Sequence, residues 1–189
     1  MKSTAVIAVL GLAAAAFAAP AAAQTRGGYL GFSAGQASYK FPNCSSPCDK
    51  EGRDYRLFGG FQVNRFAAVE VGYQDMGKAT FGPSQLKAWA WDVSAVGMWG
   101  TPLRPSGIGL SVLGRLGLYN GEVKQTTPSS GAEVKHGTTD LTFGLGLQAD
   151  LSRLLAARVE WQRFSKMGGG GLGSKNDVDA LTVGALLRF

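Results

Sequence analysis

Seven charged side chains sit at alternate positions of otherwise apolar or glycine-rich segments: Arg56, Glu70, Asp92, Arg115, Arg158, Glu160 and Arg188. Strand alternation would put them on one face, opposite the large apolar residues. Charges removed from water must pair, because a buried ion without a partner is strongly destabilising. The chemistry this pattern supports is therefore mutual neutralisation. The expected centre is a network of Glu70, Arg115, Arg158 and Glu160, with the other inward charges around it.

The residues that could do covalent or metal chemistry are few. His136 is the only histidine, and Ser129 and Ser130 are the hydroxyls considered as its nucleophile. All three fall in one expected loop with no rigid scaffold and no obvious orienting acid, so a nucleophile–base pair is disfavoured against a solvated loop. Cys44 and Cys48 enclose Cys-Ser-Ser-Pro-Cys. One histidine and two cysteines are too few for a zinc site, and the spacing is not that of a CxxC redox pair. Met167-Gly-Gly-Gly-Gly-Leu-Gly173 lacks the Gly-Lys-Ser/Thr ending of a phosphate loop and reads as a flexible tip. No cofactor is implied.

These residues need a scaffold, and the chain begins by indicating where it is built. Lys2, the apolar run Val6 to Ala19 and Ala21-Ala22-Ala23 before Gln24 form a secretory leader. Residues 1–23 are expected to be cleaved between Ala23 and Gln24, leaving one domain over 24–189. The apolar run is too short, and too soon broken by Pro20, to span a bilayer as a helix, which takes about 20 residues. Export to an oxidising compartment makes a local Cys44–Cys48 disulfide the expected state. The chain carries 19 basic and 13 acidic side chains, a net +6, scattered without a Lys/Arg run. Nucleic acid is thus not an expected partner.

Beyond the leader no stretch of 18 apolar residues occurs, but period-2 alternation recurs eight times. The strands expected are 29–39, 55–63, 66–76, 88–100, 108–120, 140–150, 156–164 and 178–189. Alternation alone does not say which face points inward, since turning a barrel inside out preserves it. The links do. Asn64-Arg65, 101–107 and 151–155 are short; 40–54, 77–87, 121–139 and 165–177 are long. Short turns on one rim and long loops on the other mark an outer-membrane barrel, as does an even strand count. Tyr55, Tyr73, Trp89, Trp91, Trp99, Tyr119, Trp161 and Phe189 lie near strand ends, where interfacial girdles belong. The final strand alternates Leu181, Val183, Ala185, Leu187 and Phe189 on one face, ending in an aromatic suited to the membrane boundary. The expected fold is all-β: an eight-stranded antiparallel up-and-down transmembrane barrel with short periplasmic turns and long extracellular loops.

The motifs Tyr29-Leu-Gly-Phe-Ser-Ala-Gly35, Leu57-Phe-Gly-Gly-Phe61, Val69-Glu-Val-Gly-Tyr73, Gly114-Arg-Leu-Gly-Leu-Tyr119, Phe143-Gly-Leu-Gly-Leu147, Arg158-Val-Glu-Trp161 and Leu187-Arg-Phe189 resemble the OmpA-like transmembrane domain family. The resemblance covers nearly all of the chain after the leader. It implies an outer-membrane barrel of a Gram-negative bacterium. It also implies insertion by the barrel-assembly machinery, which reads Phe189 and its strand, and it supports Glu70 and Arg158 as network members. Two departures bear on function. Longer relatives continue into a peptidoglycan-gripping domain, which this sequence is not expected to carry. Gln148 stands where some relatives place an interior acid, which argues against an elaborate ion-pair switch.

The leading expectation is a monomeric, non-enzymatic outer-membrane protein that supports envelope integrity and presents its loops to outside ligands. Its partners are outer-membrane lipid and lipopolysaccharide, whose phosphates Lys124, Lys135, Lys166 and Lys175 could meet from the loops. The alternatives are a narrow channel for ions or small solutes and, less favoured, a lipid A-modifying enzyme.

Overall fold

A computed structural model describes residues 27–39, 48–49, 51–81, 84–101, 108–127, 132–167 and 176–189. The expected leader and its cleavage site at Ala23 and Gln24, Cys44, Ser129, Ser130, Lys175 and 168–173 lie outside the described residues, as do the side chain of Cys48 and hence the expected disulfide.

The strands are β1 (Gly27–Tyr39), a two-residue β2 (Cys48–Asp49), β3 (Glu51–Asn64), β4 (Ala67–Phe81), β5 (Ser84–Gly100), β6 (Gly109–Thr127), β7 (Ala132–Asp150), β8 (Leu155–Met167) and β9 (Asn176–Arg188). The long strands β1 and β3–β9 pair antiparallel with their sequence neighbours, and β9 pairs back onto β1. The sheet therefore closes into an eight-stranded barrel, with β2 appended to the end of β4. The seam is tied at its end by Phe189 N–H donating to Gly28 O at 2.9 Å.

Closure settles which face points inward. Arg56, Glu70, Asp92, Arg115, Arg158 and Glu160 are buried inside. Leu57, Val69, Val93, Leu116, Val159 and Leu181 lie exposed outside. This arrangement is wrong for water and right for hydrocarbon, where apolar side chains face the solvent. On β6 the outward apolar stretch runs from Leu110 to Leu118. Nine residues tilted at about 40° cover roughly 23 Å, near the ~25 Å apolar band of such barrels.

The long rim differs from the expectation. Strands expected to end at Met76, Asn120 and near Asp140 continue: β4 and β5 leave only residues 82–83 between them, and β6 and β7 only 128–131. The stretches 77–87 and 121–139 are thus largely paired hairpin, so Lys124, Lys135 and His136 lie on strands. β4–β7 run 15, 17, 19 and 19 residues, against 13 or 14 for β8, β9, β1 and β3. Four adjacent strands therefore rise past the others as a wall on one side. On the opposite rim, 65–66, 101–108 and 151–154 are short connections, as expected.

Glycine shapes the bore. A Cβ on Gly31 would come within 2.3 Å of the Phe58 ring, and one on Gly60 within 2.4 Å of the Tyr29 ring. These positions leave room for large inward side chains on neighbouring strands.

Candidate functional site

Among the described residues, buried polar groups converge in the interior, which is layered. Nearest the short-turn rim, Tyr29, Phe58, Val96, Met98, Leu113 and Leu186 form an apolar layer. Nearest the wall, Tyr39, Met76, Leu86, Tyr119, Phe164 and Met167 belong to a second. Between them lies the charged centre.

Glu70, on β4, is fully buried and receives three donors. Tyr29 Oη donates to it at 2.6 Å, Arg158 Nη1 donates at 2.6 Å, and Arg115 Nη2 donates as well. Arg115, on β6, is the hub. Its Nε and Nη2 donate to Glu160, its Nη2 to Glu70, and its Nη1 to Asp92 Oδ2 at 3.2 Å. A planar guanidinium offers five donors in a fixed fork, which suits it to three carboxylates at once. Arg56 Nη2 lies 3.1 Å from both oxygens of Asp92. Arg158 donates from Nε and Nη2 to Gln148 Oε1 at 3.2 and 2.9 Å. Three guanidinium groups thus face three carboxylates, so the centre is formally neutral.

The expected four residues do meet, but the network is larger. Arg56 and Asp92 join as full members, and Tyr29, Gln74, Gln148 and Gln162 supply uncharged contacts. Arg56 Nη1 donates to Gln162, and Gln74 Nε2 donates to Asp54 Oδ2 at 2.6 Å. Gln148, read from the sequence as arguing against an elaborate ion-pair switch, connects the network to the rim. Its Oε1 accepts from Arg158 while its Nε2 donates to Asp150 Oδ1 at 3.0 Å. Asp150 in turn accepts from Arg188 at 2.6 Å, so Arg188 serves the rim and not the centre. A neutral amide with a donor and an acceptor can bridge two charged groups of opposite sign, a role an acid cannot fill. That signal was readable in the Gln148-Asp150 spacing. Arg158 is also flanked by rings, 5.0 Å from the Phe58 centroid and 5.9 Å from that of Tyr29.

Among the expected girdle residues, Tyr119 is misplaced. It is buried inside, edge-on to Phe164 with centroids 5.2 Å apart, and its Oη donates to Ser165 O at 2.6 Å. It falls on the inward phase of β6, two pairs of residues beyond Arg115. The others lie outside. Tyr73 packs on Trp89 and Trp91, with centroids 6.3 and 4.8 Å apart, and Tyr55 stacks on Phe32. Trp99 and Phe189 are exposed toward the short-turn rim. His136 sits opposite Val123 in the β6–β7 ladder, and no hydrogen-bond partner for its buried Nε2 occurs among the described residues. Nor does any group of three His, Cys, Asp or Glu side chains suited to a metal occur among them.

Comparison with known proteins agrees with this geometry. Residues 5–189 match the family described as outer membrane protein beta-barrel domain. Outer membrane protein A of Salmonella typhi is 28% identical over 198 residues, covering 100% of this chain and 56% of the relative. That of Klebsiella pneumoniae is 28% identical over 174 residues, covering 86% and 50%. The chain thus spans about half the length of these relatives. Among solved structures, Neisserial surface protein A superposes with a TM-score of 0.62 at 14% identity, covering 88% of this chain and 100% of that one. The N-terminal β-barrel domain of Pseudomonas aeruginosa OprF gives 0.60 at 15% identity with the same coverage. The structural likeness shows the fold, and the match over nearly the whole sequence shows the family. The lipid-facing exterior, the charged interior and these matches together make the chain a member of the outer-membrane β-barrel domain family, an OmpA-like barrel of the outer membrane.

Proposed function

We propose that this barrel is a non-enzymatic, non-conducting envelope protein that stiffens the outer membrane and presents its wall and loops outward. The observation that supports this is the filled lumen: six mutually neutralising charges held between two apolar layers. Eight strands enclose an interior just wide enough for side chains to fill. A conducting path would have to pass Arg115, which is buried and bonded to three carboxylates. Catalysis at His136 would need an orienting acid and a nucleophile, and no observation here favours that reading. Phe189, with its ring exposed outward beside Gly28, suits the proposed role of β9 as the assembly signal.

Single-channel recording of the refolded protein in a planar bilayer tests the proposal. Wild type is expected to stay silent. Steady unitary currents from wild type, altered by Glu70→Ala, would overturn the closed-lumen reading and make the interior network a gate.

A further inference from the structure

One buried acid stands outside the charge balance of the centre. Asp54 is fully buried on the inward face of β3, two residues above Arg56. The three guanidinium groups already face three carboxylates, so an ionised Asp54 is a fourth anion with no cation of its own. Its Oδ2 accepts from Gln74 Nε2 at 2.6 Å, and its Oδ1 has no hydrogen-bond partner among the described residues. A lone buried carboxylate is costly, and such a group takes up a proton instead.

Arg56 beneath it has the complementary deficit. Its Nη1 donates to Gln162 and, at 3.4 Å, to Gln74, and its Nη2 donates to Asp92. Its Nε has no partner among the described residues. Alternate residues of a strand share a face, with Cα atoms roughly 7 Å apart. The unmatched acceptor and the unmatched donor are therefore neighbours, within the swing of a flexible arginine stem. The facing strand leaves them room, because β1 sets Ser33 against Arg56, Gly35 against Asp54 and Ala37 against Gly52.

The other groups around Asp54 supply no positive charge. They are Tyr39 of β1, which donates to Met76 O at 3.2 Å, Gln74 of β4, Gln162 of β8 and Thr182 of β9. Asp92 of β5 lies beyond Arg56, and Asp75, on the outer face of β4 and paired with Lys87 at 3.0 Å, adds negative charge. Asp54 lies just above the outward apolar stretch of β3, which runs from Val63 to Tyr55, and so above the hydrocarbon. There burial pushes its carboxyl up to about 7, with Asp75 adding to the rise and Gln74 and Arg56 opposing it.

We propose that Asp54 is a proton-operated latch at the outer end of the lumen. Protonated, it is a neutral neighbour of Gln74, and Arg56 stays on Asp92 and Gln162. Ionised, with its proton passed to the outside water, it draws Arg56 upward through Nε, and the Arg56–Asp92 contact loosens. Arg115 holds Asp92 in both states. The fold keeps this proton more tightly than the unfolded chain, whose aspartates titrate at about 3.9. The stability it contributes is therefore full below that pH and is lost as pH rises through about 7. The latch goes beyond the closed-lumen reading, and a conducting barrel in which Asp54 titrates this way would overturn that reading alone.

NMR of the refolded protein in lipid nanodiscs, isotope-labelled at aspartate carboxyls and arginine side chains, tests the proposal. The Asp54 carboxyl is expected to titrate with a midpoint of about 7, and Arg56 Nε–H to shift with the same midpoint. Asp54→Asn puts a neutral amide in place of the protonated acid, and Arg56 is expected to keep its low-pH resonance throughout. The unfolding constant of wild type in urea, relative to this variant, is expected to rise about a hundredfold between about pH 5 and about pH 8. If the variant lacks the heat-modifiable gel migration of a folded barrel, the wild-type titration, assigned along the backbone, decides alone. Titration of Asp54 in the ordinary carboxylate range, an Arg56 Nε–H that ignores it, or a ratio of unfolding constants that does not change with pH would each overturn the proposal.

Discussion

The lower barrel and the wall above it are built from the same strands with opposite rules. In the lower part of β6, Arg115 points in and Leu116 points out; in the upper part, Val123 points in and Lys124 points out. β5 makes the same change, from Asp92 inside with Val93 outside to Leu86 inside with Lys87 outside. β4 passes from Glu70 and Val69 to Ala79 and Lys78. On β5 and β6 the backbone geometry continues while the hydropathy phase reverses; on β4 an irregularity between Asp75 and Lys78, at Gly77 with its positive φ, also shifts the register. The surrounding medium causes this: hydrocarbon requires an apolar exterior, and water above the headgroups requires a polar one. The reversal occurs near Tyr119 and Asn120, level with the aromatic belt.

The comparison can be broken most severely at its charged centre. Arg115→Ala strands three carboxylates without their shared partner, and is expected to lose about 3–5 kcal/mol of stability, measured by urea unfolding from lipid vesicles. Next comes the exterior of the same strand. Leu116→Arg places a charge in hydrocarbon and should cost about 2–4 kcal/mol in the same assay, whereas arginine in place of Lys124 should change little. In the wall the sensitivity moves inside. Leu86→Ala opens a cavity among Met76, Ala88 and Val123 and is expected to cost roughly 2–3 kcal/mol, read as faster amide exchange over 84–88 and 123–126 with the lower barrel unaffected. The smallest effect sharpens the contrast: Lys78→Gln should alter stability by less than about 0.5 kcal/mol in the same unfolding assay, because this lysine is exposed on the outer face of the wall.

The same reversal explains what could be read from the sequence and what could not. The spans of all eight strands within the membrane were legible, because Phe32, Leu57, Val69, Val93, Leu116, Leu145, Val159 and Leu181 keep one phase against the polar residues. So were Glu70, Arg115, Arg158 and Glu160, charges on the other phase with nowhere to go but toward one another. The upper ends of β4–β7 were not legible. A strand whose apolar phase switches at Asn120 looks like one that has ended. Tyr119 was lost for the same reason: near a strand end, an aromatic suggests a girdle, and only the register shows that it faces in. The alignment of Lys78, Lys87, Lys124 and Lys135 across β4–β7 was invisible because it is a property of pairing. Lys78 and Lys135 are far apart in sequence and become members of one rung only through β5 and β6.

The glycine-lined bore has a consequence for how this chain can vary through its descendants. Gly59 and Gly60 are adjacent and look interchangeable. A methyl on Gly59 would point outward and meet Leu30 Cδ1 at 3.5 Å, an ordinary contact, whereas one on Gly60 would collide with Tyr29. Gly72 is equally constrained, since its methyl would lie 2.5 Å from an Arg56 nitrogen and 2.7 Å from an Asp92 oxygen. Tolerance should therefore alternate residue by residue along a strand. A lineage could enlarge outward Gly59 or Gly114 freely, whereas outward Gly28 and Gly97 are covered by the Phe189 and Trp99 rings, and an inward glycine could gain a side chain only if a neighbouring strand gave up volume in the same step.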